Sequence, residues 1–161
     1  MRLSIAIGSA VALLGCTTLT PASFRAKPPE FDPIQGGPVV VLAGYTEPEA
    51  WRFNANGITF DYNRNAFSED LARLVSGALS GAGVAVGEGG DPITVRVVYL
   101  DFMFQGPCIV DYAVKYGESA WAGGQARYES SNFATACREA LELAAHDIVA
   151  DPRTQLHLGE D

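Results

Sequence analysis

The sequence is poor in the residue types that build most catalytic and metal centres. Its 161 residues include two His and three Cys. His146 belongs to a predicted helix and His157 to the C-terminal tail, and the cysteines lack the spacing of a zinc site. Gly77–Gly81 contains a serine between glycines, but it is off position for a nucleophile elbow and lies in a predicted helix. We therefore expect no metal, no other cofactor and no enzymatic activity.

Positive charge is also scarce. Lys and Arg total 11 against 19 Asp and Glu, giving a net charge of -8, and the basic residues are scattered singly. Nucleic acids recruit proteins largely by charge neutralisation, so no nucleic-acid partner is expected. The chain is 48% hydrophobic and 19% charged, which is typical of a folded protein and not of a disordered one. Its length suits one domain with its own core.

The N-terminus has an apolar run, Leu3 to Leu14, that is too short for a stable transmembrane helix. It is followed by Leu13-Leu14-Gly15-Cys16, which resembles the bacterial lipobox that directs acylation of its cysteine. We predict a lipoprotein signal peptide over residues 1–15 and a mature chain that starts at acylated Cys16. An ordinary secretory leader or an uncleaved anchor is the alternative. Because Thr17, and not Asp, follows the cysteine, we expect the periplasmic face of the outer membrane.

Residues 16–37 contain four prolines and no apolar periodicity. This composition predicts a lipidated, Pro-rich tether ahead of a periplasmic domain at 38–152. If extended at about 3.1 Å per residue, the tether would span roughly 60 Å and hold the domain clear of the lipid headgroups.

The remaining cysteines, Cys108 and Cys137, form an even pair in a compartment that oxidises thiols. We predict that they form a disulfide. Two buried free thiols are the alternative.

A hairpin is the best local signal in the domain. Asn56-Gly57 is the preferred pair for a two-residue type I′ turn. This turn places Ala55 opposite Ile58, and the pairs beyond it put every apolar residue on one face. We therefore predict a hairpin whose register is set by both the turn and the alternation.

In the rest of the domain, the spacing of apolar residues is typical of strands in some segments and of helices in others. A helix from Phe67 is predicted with Asn65 as its cap, and a helix from Phe133 with Asn132 as its cap. Gly77 and Gly81 in the first helix indicate either close packing on the sheet or a frayed end. The predicted strands outside the hairpin are Val39–Ala43, Ile93–Phe104, Val110–Tyr116 and Trp121–Glu129. The apolar face of the second of these changes sides near Val97-Val98, which predicts a β-bulge or burial on both faces.

This order of elements predicts an α+β fold. We expect an antiparallel sheet of about five to six strands with two amphipathic helices packed on one face. Residues 153–161 are expected to form a C-terminal tail.

Two groups of aromatic residues are candidate binding surfaces. The hairpin face carries Trp51, Phe53, Phe60 and Tyr62, and the end of the long strand carries Tyr99, Phe102 and Phe104 beside Met103. Either group could instead belong to the core. Strand carboxylates at Asp61, Asp101 and Asp111 leave open an alternative in which the protein is an envelope hydrolase.

Several segments carry a resemblance to a known family. They are Leu71–Val86, Ile93–Leu100, Val110-Asp111-Tyr112, Ala126–Glu129 and Ala140–Asp151. In this order, behind a lipobox, they resemble the YajG group of small Gram-negative lipoproteins. The resemblance implies an outer-membrane-tethered periplasmic domain of undefined activity, with no catalytic residue to carry over. Auxiliary lipoproteins of lipid-transport complexes have a similar layout.

We therefore predict a non-enzymatic binding or assembly module of the cell envelope. Its partners would be the lipid bilayer, through Cys16, and an unidentified envelope protein. A role as an auxiliary lipoprotein of a lipid-transport complex is the alternative.

Overall fold

The computed structural model describes residues 17–19, 26–45, 50–55, 58–103 and 106–159. The elements in chain order are β1 (Thr17–Leu19), β2 (Val39–Ala43), β3 (Ala50–Ala55), β4 (Ile58–Asn63), α1 (Arg64–Gly81), β5 (Asp91–Phe102), β6 (Pro107–Tyr116), β7 (Ala122–Glu129), α2 (Phe133–Ala150) and α3 (Pro152–Gly159). No helix in these ranges is both long and apolar enough to cross a bilayer.

The α+β class is confirmed, but the predicted sheet of five to six antiparallel strands is wrong. The main sheet has four strands in the order β2-β5-β6-β7. Its β2–β5 pair is parallel and its other two pairs are antiparallel. The β2–β5 pair is parallel because the chain between these strands, which includes α1, crosses back to the end of the sheet at which β2 begins.

The hairpin is the reason that the main sheet is smaller than expected. Strands β3 and β4 pair with each other, and β4 also pairs with β1, in a separate sheet of order β1-β4-β3. The hairpin register is confirmed, with Ala55 opposite Ile58, Phe53 opposite Phe60 and Arg52 opposite Asp61. Residues 56–57, the predicted turn, lie outside the described ranges.

The β-bulge in β5 is confirmed. The register against β6 shifts between Val97 and Tyr99. One extra residue at Val98 turns the second half of the strand over, so that Leu100 and Phe102 are buried on the same side as Val97. The change of apolar face in the sequence therefore marks the bulge and not a second buried face.

Both long helices pack on one face of the main sheet, as predicted. Helix α1 lies on β2 and β5, and α2 lies on β6 and β7 beside α1. Asn132 caps α2 as expected, but α1 begins earlier than predicted and is capped by Asn63, which accepts a hydrogen bond from the backbone N–H of Asn65. The buried Ser68 of α1 joins the helix to the sheet, because its hydroxyl accepts from the N–H of Val97 at 2.9 Å.

The residues expected to form a C-terminal tail instead form α3. Pro152 occupies the first turn of this helix, where a missing N–H costs nothing. Thr154 and Leu158 are buried, with 0% and 2% of their surfaces exposed. The described part of the domain thus has three helices, where two were predicted.

Residues 26–38, of which 26–37 belong to the predicted tether, have no regular secondary structure but pack on the helices. We call this segment the strap. Its Lys27 N–H donates to Glu142 of α2 at 2.8 Å, its Phe31 ring stacks on His146 at 5.0 Å, and its Ile34 N–H donates to the carbonyl of Ala82 at 2.8 Å. The strap therefore cannot act as the extended spacer that its proline content suggested.

Candidate binding site

The cysteine pair is brought together as predicted. The sulfur atoms of Cys108 and Cys137 are 2.10 Å apart, at disulfide distance, and both residues are fully buried. Cys108 lies at the start of β6 and Cys137 in α2. The pair therefore links the second helix covalently to the middle of the main sheet.

Three of the candidate aromatic residues belong to the core. Phe60, Tyr62 and Phe102 are 5%, 2% and 3% exposed. The Phe60 ring meets the edge of Phe102 at 4.7 Å, and Phe102 stacks on Phe133 of α2 at 5.4 Å. These contacts attach the hairpin sheet to the main sheet, so these three residues form no binding surface. The side chains of Trp51 and Phe53, and residue Phe104, lie outside the description.

Tyr99 has a different environment. It is 38% exposed and lies opposite Asp111 on the face of the main sheet that the helices leave uncovered. Desolvation, and then the charges of Asp101 and Asp111, raise the pKa of its hydroxyl. Asp111 accepts a hydrogen bond from Gln125 at 2.7 Å. Two strand carboxylates thus lie on the uncovered face around Tyr99.

The third candidate carboxylate lies in the hairpin sheet. Asp61 forms an ion pair with Arg52, with Oδ1 2.6 Å from Nε. The hydrogen bond from Arg52 holds the pKa of this carboxyl below its usual value. Asp61 is therefore fixed as the anion in a cross-strand pair on a different sheet from Asp101 and Asp111.

A stack of rings and guanidinium groups crosses the uncovered face at the other end of the sheet. The Arg96 guanidinium lies 4.1 Å from the centre of the Trp121 ring and 5.6 Å from that of Tyr45. Gly44 makes room for this arrangement, because a Cβ there would lie 2.9 Å from Trp121. The cation–π contact holds Trp121 against Arg96 while leaving 39% of Trp121 exposed.

A pocket of about 320 Å³ lies at the same end, between α3 and the turn that joins β6 to β7. Its lining residues are Tyr116, Ser119, Ala120, Ala122, Arg153, Leu156 and His157. We call the end of the domain with this pocket the distal end, and the end with Phe102, Pro107 and Phe133 the proximal end. The volume is at the lower limit of pockets that hold small ligands.

A chain of hydrogen bonds fixes the wall of the distal pocket. The Thr154 hydroxyl donates to the carbonyl of Ile148, so the Tyr116 hydroxyl must be the donor in its 2.8 Å bond to Thr154 Oγ1. Burial raises the pKa of Tyr116, and it raises the pKa of the neighbouring Tyr112 to about 12. Both phenols are therefore neutral at physiological pH, and Tyr116 is the donor to Thr154.

Two polar side chains of the pocket, Arg153 and His157, differ in their hydrogen-bond partners. Arg153 binds both carboxylate oxygens of Asp151, which lowers the pKa of that carboxyl. The Nε2 atom of His157 is buried and has no hydrogen-bond partner among the described residues. The pocket therefore combines apolar walls with an arginine that is ion-paired to Asp151 and an imidazole nitrogen that has no hydrogen-bond partner among the described residues.

The sequence prediction missed this pocket because five of its residues follow Pro152 or lie in the β6–β7 turn. A signal was present: Pro152 at a first helical position and the i,i+4 pair Thr154 and Leu158 together indicate a short helix. Within the described ranges, no three His, Cys, Asp or Glu side chains are grouped as a metal site would require.

Comparisons with known proteins add a distant structural similarity. No family model matches the chain, and no curated protein matches it. A solved structure titled "Crystal structure of uncharacterized protein" is similar with a TM-score of 0.47 and 12% identity, over 77% of this chain and 97% of the other. The resemblance to the YajG group thus stays a prediction.

Proposed function

We propose that this chain is a lipid-anchored lipoprotein at the periplasmic face of the outer membrane, acting as a non-enzymatic binding or assembly module. The motif Leu13-Leu14-Gly15-Cys16 supports the anchor. The Cys108–Cys137 pair at disulfide distance supports an oxidising compartment. The resemblance to the YajG group supports the same location.

The observation that supports binding is the exposed apolar surface of the distal end. Leu156 is 67% exposed at the rim of the pocket, and Trp121 and Leu42 are 39% and 44% exposed near the same end. Single exposed apolar residues are normal on a folded domain, but apolar residues around a pocket indicate a contact site. We assign the distal end to an envelope protein partner.

Acylation is tested on the full chain expressed in a Gram-negative host with radiolabelled palmitate. We expect label on the wild type and none on Cys16→Ser, which should accumulate as the unprocessed precursor. Intact mass then gives the mature N-terminus. A wild-type protein that retains residues 1–15, or starts elsewhere without acyl chains, would contradict the anchor.

Partner binding is tested with a photo-crosslinking amino acid at position 156, at the pocket rim. The matched control is position 143 on the outer surface of α2, where the native residue is also an exposed leucine, at 38%. We expect a discrete crosslinked product in intact envelopes from position 156 and not from 143. Equal products from both, or none from 156, would refute a distal contact site.

The identity of the crosslinked protein decides between the two versions of the function. A subunit of a lipid transporter would favour the auxiliary lipoprotein, and another envelope protein would favour the assembly module.

A further inference from the structure

We infer that the proximal end of the domain lies against the lipid bilayer and that the distal pocket points away from it. This inference rests on the proposed acylation of Cys16. It replaces the extended tether with a direct contact between domain and membrane, and it assigns a lipid surface as the occupant of the proximal end.

The path of the chain after the anchor carries the argument. Strand β1 begins at Thr17, the residue that directly follows Cys16, and pairs in parallel with β4. Thr17 lies opposite Phe60, whose ring contacts Phe102 at 4.7 Å. The first residue after the acylated position is therefore already part of the folded structure at the proximal end.

Simple chain geometry then limits how far the domain can stand from the lipid. Consecutive Cα atoms are about 3.8 Å apart and neighbouring strands about 4.8 Å apart, so the Cα of Phe60 lies within about 10 Å of that of Cys16. By contrast, β6 runs from Pro107 at the proximal end to Tyr116 at the distal end, about 30 Å at 3.3 Å per residue. The acyl chains thus hold the proximal end near the headgroups and leave the distal pocket a domain length away.

The surface of the proximal end suits an interface with lipid. Met103, in the turn after β5, is 59% exposed. Tyr128, opposite Cys108 on β7, is 38% exposed, and tyrosine is a residue type that favours the headgroup region. Exposed apolar and amphipathic side chains at the anchored end would gain from burial among lipids.

Several acidic groups near the proximal end have a basic partner. Although the chain carries a net charge of -8, Glu129 pairs with Arg127 and Glu139 pairs with Arg138. Asp61, on the strand beside β1, pairs with Arg52. These three carboxylates are therefore locally compensated, which reduces their repulsion from an anionic surface. Asp101 and Asp111 also lie toward this end of the sheet, and Asp111 is bonded to the neutral Gln125. Their repulsion is what the burial of apolar side chains at this end must exceed.

Depth-dependent fluorescence quenching tests the orientation in the full acylated protein. We would place one cysteine by Met103→Cys, label it with bimane without reductant, and reconstitute the protein in phosphatidylethanolamine–phosphatidylglycerol vesicles carrying a shallow nitroxide-labelled lipid. The control is Glu118→Cys in the β6–β7 turn, whose native side chain is 100% exposed. We expect quenching of about twofold or more at position 103 and essentially none at 118, since insertion reaches only 5–10 Å into the interface.

The outcomes separate the orientation from the anchor. Intact mass before reconstitution shows whether Cys16 is acylated, and a chain without acyl groups overturns the proposed function and the orientation with it. An acylated protein with no quenching at 103 stands off the membrane, and one quenched equally at 103 and 118 lies flat on it. Either result overturns the orientation and leaves the anchor intact.

Discussion

Gly77 shows at the residue scale how a missing side chain sets the path of the strap. Its position in the second half of α1 indicated close packing on the sheet or a frayed end. The structure shows close packing, but against the strap: a Cβ at Gly77 would lie 2.5 Å from Cγ of Pro28. Gly81, one turn later, has nothing within 4 Å of its Cβ position. Gly77 and Gly81 are therefore suited to a paired substitution test, because an added Cβ would collide with the strap at Gly77 and would contact nothing at Gly81.

Alanine at these two positions should have opposite effects. Gly77→Ala gains helix propensity but must displace Pro28, so we expect the free energy of unfolding to fall by about 1–2 kcal/mol. Gly81→Ala makes no collision and should raise it by about 0.5 kcal/mol. Urea unfolding measures both. Hydrogen exchange at the Ile34 N–H, which bonds to Ala82, should accelerate only in Gly77→Ala, and unchanged exchange there would show that the strap does not depend on this contact.

At the scale of elements, the Cys108–Cys137 pair joins α2 to β6 across 29 positions of sequence. Closing a loop of this length stabilises a fold by about 3–4 kcal/mol in the chain-entropy treatment. We expect dithiothreitol to lower the free energy of unfolding of the wild type by that amount. The double variant Cys108→Ala with Cys137→Ala should be less stable than the oxidised protein and insensitive to the reductant. Alkylation of both cysteines in the untreated mature protein would show that they are free thiols.

The elements also differ in how well the sequence predicts them. The hairpin and the bulge were predictable because each is encoded locally, by Asn56-Gly57 with alternating apolar residues and by the change of face at Val97-Val98. Helix α3 is short, and its buried residues Thr154 and Leu158 face a surface that only the folded sheet provides. Pro152 and the spacing of Thr154 and Leu158 are signals of this helix, but a segment of eight residues is too short for its periodicity to predict a stable helix without that surface.

At the scale of the whole molecule, the sequence predicted the class of fold but not which strands share a sheet. Val39–Ala43 reads as a buried strand, yet only the crossover through α1 decides that it pairs with β5 in parallel. The hairpin pairs with residues 17–19, which the sequence analysis placed in a tether. The strap was missed for a related reason: its prolines exclude regular structure, but they do not exclude burial against the outer surface of two helices.

The candidate site was predicted least well. The disulfide pair followed from counting cysteines, whereas the aromatic residues of the hairpin could not be assigned to core or surface without knowing what covers them. Phe60 is buried because Phe102 and Phe133 reach it from two other elements. The distal pocket is formed by residues of the β6–β7 turn and of α3. No local sequence pattern indicates that these two segments lie together.

The hydrogen bond from the Gly37 N–H to the carbonyl of Leu158 has a practical consequence for work on this protein. It places the end of the strap beside α3, whose Leu156 lies at the rim of the distal pocket. A purification tag or fluorescent protein added after Asp161 would follow this helix closely in the chain and would obstruct the partner proposed for the distal end. An N-terminal fusion would interfere with the proposed leader. An epitope inserted in the exposed loop that includes Glu88 and Gly89 would also emerge at the distal end, because β5 begins at Asp91 and its Ile93 pairs with Tyr116 of the pocket lining.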